Sequence, residues 1–177
     1  MYCGVDLGKK GIICFLKSET DYEFIPIPTQ QVKKNGKIKT EYIPAYIKDI
    51  FKERRHEIEH CVFENIMPNP SLENTGYIAA KSLGLAMGLF IMLCECFDIP
   101  YTCCGPQAWM NAMFDNWKDG STKKRSIKAS KQFNPEIDLK RTEKCTTDDH
   151  NRSDAYLMAL YAKQQAHKSE SYLNLYI

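Results

Sequence analysis

The chain has 177 residues and a formal net charge of +2, because 24 lysine and arginine residues nearly balance 22 aspartate and glutamate residues. A hydrophobic share of 44% is enough for a packed core and the length suits one domain, so a largely disordered chain is excluded. The longest apolar run, Leu83 to Cys94, is too short to cross a bilayer, which excludes a membrane-spanning protein.

Eight cysteines are spread along the chain. The N-terminus has neither the basic segment nor the cleavage site of a signal peptide, so we expect an intracellular protein with reduced thiols. The pairs Cys94-x-Cys96 and Cys103-Cys104 lack the two-residue gap of a zinc knuckle. We therefore interpret the cysteines as small buried hydrophobic residues.

The N-terminal segment Tyr2–Gly8 carries one carboxylate, Asp6, within an apolar run. It and the apolar residues from Ile12 to Leu16 are predicted to form two strands joined by a tight basic turn. A third strand is predicted at 22–27, where its prolines favour a strand end or a sheet edge. A charge on a buried strand needs a partner, so Asp6 either caps the turn or holds a cation.

The next segment is polar, and its centre is the turn signal Asn35-Gly36. With four lysines between Lys33 and Lys39, it is predicted to be a mobile basic loop or a hairpin. Apolar spacing then predicts a helix over 42–55. A short buried strand over 58–66 follows, and it contains a second lone carboxylate, Glu64.

A long helix is predicted to start near Ser71 or Asn74 and to run to about Phe97. It is apolar nearly all the way round, so we expect it to be buried on most faces. Small residues recur every four positions along it, at Gly76, Ala80, Gly84 and Gly88. Such a stripe allows close approach of another backbone, either the chain's own sheet or a partner helix in a dimer.

The remaining elements are a strand at 99–104, a helix at 106–117 with Trp109, Met113 and Phe114 inward, a capped basic helix at 123–133 and an amphipathic helix that opens at Asp148. The chain beyond His167 has no readable signal, so we predict a domain over 1–166 and a tail over 167–177. Because the later strands alternate with helices, they suit parallel pairing. The whole pattern predicts an α/β fold with a mixed five-stranded sheet, its first three strands antiparallel, and helices on both faces.

Basic residues are concentrated in two segments, 33–39 and 118–131. Such patches on a nearly neutral chain indicate either contact with a polyanion or ordinary solvated surfaces. Under the first interpretation, the residues that we expect to contact DNA are Lys33, Lys34, Lys37, Lys123, Lys124, Arg125 and Lys128.

Two lone carboxylates near the ends of buried strands suggest a metal site. If the first and fourth strands lie side by side, Asp6 and Glu64 face each other, and their like charges repel unless a cation lies between them. Mg²⁺ or Mn²⁺ suits such oxygen ligands. Two such ions can hold the attacking water and the leaving oxygen of a phosphodiester.

The start of the last helix adds further candidates for this site. His150 and Asp154 are four residues apart, so they share a helix face if the helix already includes them. If the helix starts later, Asp149 can take part instead. A purely structural interpretation also stands, because Asp148 or Asp149 can cap the helix and Asp154 can complement its dipole.

Three segments together resemble the RuvC-like Holliday-junction resolvases, and most closely their phage and viral branch: Gly4-Val5-Asp6-Leu7-Gly8, Val62-Phe63-Glu64-Asn65 and Asp149-His150-Asn151-Arg152-Ser153-Asp154-Ala155. The similarity covers about residues 1–165 and includes the glycine-rich helix and Gly105-Pro106-Gln107-x-Trp109. It implies a ribonuclease H-like fold, a homodimer through the helix at 74–97, and nicking of four-way DNA junctions with two Mg²⁺ or Mn²⁺ ions per site. It implies location in the cytoplasm or in a viral replication compartment.

By this resemblance Asp6, Glu64 and Asp154 are metal ligands and catalytic residues. The fourth catalytic position falls on Asp149, which would also bind metal, or on His150. A lysine near the site also recurs in relatives, and Lys123 or Lys124 is the nearest match. The basic segment over 33–39 has no counterpart that we can identify.

Three other functions are compatible with parts of this pattern. The first glycine-rich segment also resembles the phosphate loop of actin-like ATPases and sugar kinases, but those proteins need a second domain and a second phosphate loop. A related nuclease acting on flaps, branches or RNA–DNA hybrids would have the same metal site. A non-catalytic DNA-binding module would lack one of the acids, and none is missing here.

Overall fold

The computed structural model describes residues 1–65, 74–114 and 120–173. The strands of this part of the chain are β1 (Tyr2–Asp6), β2 (Ile12–Leu16), β3 (Tyr22–Pro26), β4 (Thr29–Lys34), β5 (Lys37–Tyr42), β6 (His60–Glu64) and β7 (Tyr101–Cys104). Its helices are α1 (Pro44–Arg54), α2 (Asn74–Cys96), α3 (Pro106–Met113), α4 (Thr122–Phe133) and α5 (His150–Leu173).

Five strands form the main sheet in the order β3-β2-β1-β6-β7. The first three pair antiparallel, whereas β6 pairs parallel with both β1 and β7. The predicted mixed five-stranded sheet is therefore confirmed. Strand β3 lies at the edge and ends at Pro26, where the missing N–H of proline interrupts no ladder.

Side chains alternate between the two faces of this sheet. On one face, Cys14 and Val62 pack with residues of α3, α4 and α5. On the other face, Phe15 and Phe63 pack with residues of α1 and α2. The prediction of helices on both faces is confirmed, and the sheet separates two apolar cores.

The basic segment after β3 is a hairpin. Strands β4 and β5 pair antiparallel in a separate two-stranded sheet. Their turn places Asn35 at φ 50° and Gly36 at φ 76°, and two successive positive φ values are typical of the tight turn that joins twisted strands. Tyr42 at the end of β5 is buried in the core beneath α1 and α2, which fixes the base of the hairpin.

The expectation that the long helix is buried on most faces is wrong. In α2 the side chains of Ala86, Phe90 and Cys94 are fully buried against the sheet. Leu85 is 67% exposed and Met92 is 61% exposed. The apolar composition misled the prediction because the described part of the chain covers only one side of α2.

The glycine stripe of α2 lies on its uncovered side. Gly84 and Gly88 are exposed, and a Cβ atom added at either position would meet nothing within 4 Å. Packing on the chain's own sheet is therefore the wrong interpretation of these two glycines. The side chain at position 76 lies outside the described residues, as does Ser71.

Other boundaries differ from the sequence predictions in detail. Helix α3 ends at Met113, and the rest of the helix predicted to Trp117 lies outside the described residues. Ser121 occupies the N-cap of α4, but its side chain makes no capping hydrogen bond. Helix α5 continues past His167 to Leu173, while the division into a domain over 1–166 and a tail stays a prediction.

The cysteines partly follow the expectation. Cys3, Cys14, Cys61 and Cys94 are buried, whereas Cys96 is exposed. None of the helices in the described ranges combines the length and apolar character that a bilayer span requires.

Candidate active site

Asp6 and Glu64 lie together at the carboxyl ends of two adjacent parallel strands. The register pairs Val5 with Phe63, so the last residues of β1 and β6 reach the same end of the sheet. The predicted side-by-side arrangement of these strands is thus confirmed. By alternation both carboxylates point to the sheet face that carries α3, α4 and α5.

Helix α5 brings Asp154 to the same place. A Cβ atom at Gly4 would overlap the carbonyl oxygen of Ala155 and the backbone nitrogen of Ala159, so α5 lies directly on β1. Gly4 is two residues before Asp6 and shares its face, while Asp154 directly precedes Ala155. The glycine therefore lets the helix approach closely enough for its first turn to join the strand ends.

Mutual repulsion raises the pKa of Asp6. Burial raises the pKa of this carboxyl well above its usual value, and the charges of Asp154, Glu64 and Asp149 raise it further in that order, while Arg141 opposes them. Four carboxylates therefore act on one another electrostatically at this end of the sheet.

Protein donors hold two of these carboxylates. The indole Nε1 of Trp109 donates to Oε1 of Glu64 at 2.7 Å, and the Ser126 hydroxyl donates a short hydrogen bond to Oδ1 of Asp154. Burial raises the pKa of Glu64, and the Trp109 hydrogen bond partly offsets it. For Asp154, burial outweighs the Ser126 hydrogen bond and raises the pKa to about 7.

Asp149 has a structural role that competes with metal binding. Its Oδ1 accepts from the backbone N–H of Asn151 at 3.0 Å, as expected of a residue that caps α5. Its Oδ2 accepts from Nε of Arg141 at 2.6 Å. The capping interpretation is thus confirmed for Asp149, although its charge also reaches Asp6 and Asp154.

His150 is the first residue of α5 and is partly buried. Burial and the charge of Lys123 lower its pKa, and Asp149 opposes this effect. Its imidazole is therefore mostly neutral near pH 7. The choice between Asp149 and His150 for the fourth catalytic position stays open.

The predicted lysine near the site corresponds best to Lys123. Its charge lowers the pKa of both Asp154 and His150, which places it within electrostatic reach of the carboxylates. Lys124 is on the adjacent position of α4, where its side chain lies beside Gly120.

The other expected DNA contacts lie on two separate surfaces. On the hairpin, Lys33 and Lys37 are exposed and Lys34 forms an ion pair with Glu41 at 2.6 Å. On α4, Lys128 is exposed, and the guanidinium of Arg125 lies 5.5 Å from the centre of the Phe114 ring.

Sequence reasoning missed Ser126 and Arg141. Ser126, Ser130 and Ser153 form a buried cluster in which each Oγ of α4 lies 2.7 Å from Oγ of Ser153. The signal was present, because two serines spaced four apart in a lysine-rich helix mark a small polar face. Arg141 gave no signal, since it belongs to an irregular segment whose course the sequence does not reveal.

The donor set suits a hard dication. Buried carboxylates that raise one another's pKa create a negative site that a cation relieves, and oxygen ligands favour Mg²⁺ or Mn²⁺. Across residues 1–65, 74–114 and 120–173, however, no three His, Cys, Asp or Glu side chains are already arranged around a metal position. The carboxylates instead bond to Trp109, Ser126 and Arg141, so ions would have to compete with these donors.

Comparison with known proteins gives a match at the level of structure. No family model matches the sequence, and no curated protein matches it. The chain is similar to Thermus thermophilus RuvC in complex with a Holliday junction substrate, with a TM-score of 0.53 and 11% identity over 93% of this chain and 95% of that one. It is also similar to a second Thermus thermophilus RuvC structure, with a TM-score of 0.50 and 11% identity over 93% and 96% of the two chains. The chain therefore has the fold of RuvC.

Proposed function

We propose that this protein is a metal-dependent, structure-selective endonuclease that nicks four-way DNA junctions, and that it belongs with the phage and viral RuvC-like resolvases. The observation that carries the proposal is the convergence of Asp6, Glu64 and Asp154 from two strands and a helix on one sheet face. The likeness of the fold to RuvC, one of whose structures holds a Holliday junction substrate, supports the choice of DNA.

Two Mg²⁺ or Mn²⁺ ions would be held by Asp6, Glu64 and Asp154, with Asp149 or His150 completing the set. When bound, such ions stabilise the charge on the attacking and leaving oxygens of a phosphodiester. The protein's own contribution is orientation: Trp109 fixes one oxygen of Glu64 and Ser126 fixes one oxygen of Asp154. Burial excludes water from around these carboxylates and keeps the site selective for cations.

DNA would contact the basic residues near this site. Lys123 lies within electrostatic reach of Asp154, so a phosphate at the carboxylates also meets a positive charge from α4. Paired nicks on a junction need two active sites, and we propose that a homodimer through α2 provides them. The exposed glycines of α2, Gly84 and Gly88, support this arrangement because they leave a helix face open to a second backbone.

The decisive variant is Asp6→Asn. We expect it to bind four-way junctions with wild-type affinity but to lose nicking by at least about a hundredfold, because removing one ligand weakens ion binding and leaves phosphate contacts intact. Asp49→Asn is the matched control, since Asp49 is exposed on α1. Junction nicking in Mg²⁺, with binding measured in parallel, checks the prediction. Wild-type nicking by Asp6→Asn would mean that the carboxylate site is not catalytic.

The substrate is tested by competition. The wild-type protein is incubated with a four-way junction, a flap, a plain duplex and an RNA–DNA hybrid, with and without Mg²⁺. The proposal predicts metal-dependent, symmetric nicks in the junction that excess flap or hybrid does not suppress. Preferential cutting of a flap or a hybrid would instead identify a related ribonuclease H-like nuclease.

A further inference from the structure

A groove separates the β4–β5 hairpin from the N-terminal half of α2. Lys34, Ile38 and Tyr42 line it on the hairpin side. Lys81 and Leu85 line it on the α2 side. Its volume is about 920 Å³, at the upper end of the roughly 300–1,000 Å³ of small-molecule sites, so it admits a short stretch of an extended polymer. We call it the hairpin groove.

The hairpin groove is positively charged. Four lysines line it, at positions 9, 34, 39 and 81, against a single acid, Glu41. Lys34 neutralises that acid in an ion pair at 2.6 Å. At the hairpin tip, Lys34 also lies directly opposite Lys37, a like-charge pairing that destabilises a strand pair. A bound polyanion would remove this repulsion.

Large apolar side chains accompany these charges. Ile38 on the hairpin is 70% exposed and Leu85 on α2 is 67% exposed, and both line the groove. A duplex presents phosphates outward and hides its base faces. An unpaired strand presents both phosphates and base faces, which matches a groove that combines lysines with apolar walls.

The hairpin groove also lies next to the carboxylate site. Lys9, which lines the groove, belongs to the turn that begins where β1 ends at Asp6. A strand lying in the groove can therefore continue toward the carboxylates without crossing another element of the main sheet.

We propose that the hairpin groove binds an unpaired stretch of DNA and guides it to the carboxylate site. The inference rests on the proposed function for its choice of DNA as the polymer. It gives the inserted hairpin a role in recognising the open centre of a branched substrate, where strands leave their duplexes.

The test measures binding alone, in the absence of metal, so that it does not depend on cleavage. A fluorescent single strand and a duplex of equal length are titrated with the wild-type protein, with Lys39→Glu/Lys81→Glu, with Ile38→Asn and with the control Lys52→Glu, an exposed lysine of α1 outside the groove. We expect the double variant to bind the single strand at least about tenfold more weakly. Its slope of log affinity against log salt should fall by about one per lysine lost.

The apolar wall is tested in the same experiment. Ile38→Asn should weaken binding of the single strand several-fold and leave duplex binding unchanged, because only an unpaired strand exposes base faces to it. Equal losses for single strand and duplex would overturn the inference in favour of a general backbone-binding surface. Wild-type binding by the double variant would overturn it as well.

Failure of the proposed function gives a different pattern. A wild-type protein that nicks junctions, with groove variants that bind single strands normally, contradicts the groove and leaves the nuclease standing. A wild-type protein that nicks no branched substrate, with groove variants that lose single-strand binding as expected, contradicts the nuclease and supports the groove.

Discussion

The carboxylates of the site illustrate how burial and mutual repulsion create a demand for cations. Asp6, Glu64 and Asp154 each have a raised pKa, with burial as the largest cause. Because burial disfavours the charged form, the metal-free protein retains protons on these groups at pH values where an unfolded chain has released them. Folding, proton release and ion binding are therefore linked at this site.

This linkage predicts how metal-free stability depends on pH. The pKa of Asp154 rises from 3.8 when unfolded to about 7 when folded. In that range the folded state holds a proton that the unfolded state lacks. The free energy of unfolding should therefore fall as pH rises from about 4 to about 7, by up to about 1.4 kcal/mol per pH unit for one such group. Denaturant unfolding in a chelator, at several pH values, measures it.

Two comparisons isolate the site in this measurement. Asp154→Asn should flatten the profile, whereas the exposed Asp49→Asn should leave it unchanged. Adding Mn²⁺ should stabilise the wild-type protein more at about pH 8 than at about pH 5, because ions bind the deprotonated carboxylates. A metal-free stability that rises across this range through the titration of Asp154 would contradict the linkage.

At the scale of elements, the contact between β1 and α5 assembles the site. Gly4 is the position where the strand accepts the helix backbone, since an added Cβ would overlap atoms of Ala155 and Ala159. Backbone atoms cannot move aside as the end of a flexible side chain can. The first turn of α5, with Asp154, therefore depends on the absence of a side chain at position 4.

Gly4→Ala should therefore destabilise the protein and weaken ion binding. We expect the free energy of unfolding to fall by about 1–3 kcal/mol, the usual cost of overpacking a core. Gly105→Ala is the control, because its added Cβ meets nothing within 4 Å and should change stability by less than about 1 kcal/mol. Urea unfolding measures both, and equal stabilities of the two variants would contradict close packing of α5 on β1.

The sequence predicted those elements whose periodicity reports a face that the chain itself buries. Alternation and apolar runs identified the five sheet strands, and Asn35-Gly36 indicated the hairpin turn that forms. Asp6, Glu64 and Asp154 were found because each is a charge within or beside an apolar run. Ser126 escaped notice because its partner Asp154 is 28 residues away, and no local pattern encodes a contact at that separation.

At the scale of the whole molecule, α2 is the element that one chain leaves half covered. Composition alone predicted burial all round, but composition does not tell whether the second face is covered by the same chain or by another. Leu85 and Met92 are exposed beside the glycines of the stripe. Exposed apolar side chains that surround a small-residue stripe are typical of surfaces that contact a partner.

The dimer proposal predicts the effect of Gly84→Leu. In a single chain the new side chain meets no atom at its Cβ, and leucine favours a helix more than glycine does, so monomer stability should be kept or increased. Between two closely packed helices the same side chain forces the backbones apart. We expect dimer dissociation to become at least about tenfold easier, a cost of about 1.4 kcal/mol.

Sedimentation velocity over a range of concentrations measures this effect. Lys52→Leu is the matched control, because it adds the same side chain to an exposed helical position on α1 and should leave the dimer intact. A Gly84→Leu protein that dimerises like the wild type, or a wild-type protein that stays monomeric, would contradict a dimer through α2. If Gly84→Leu instead gives a stable monomer that still binds junctions but nicks only one strand, then the two nicks on a junction require two active sites held together by this helix.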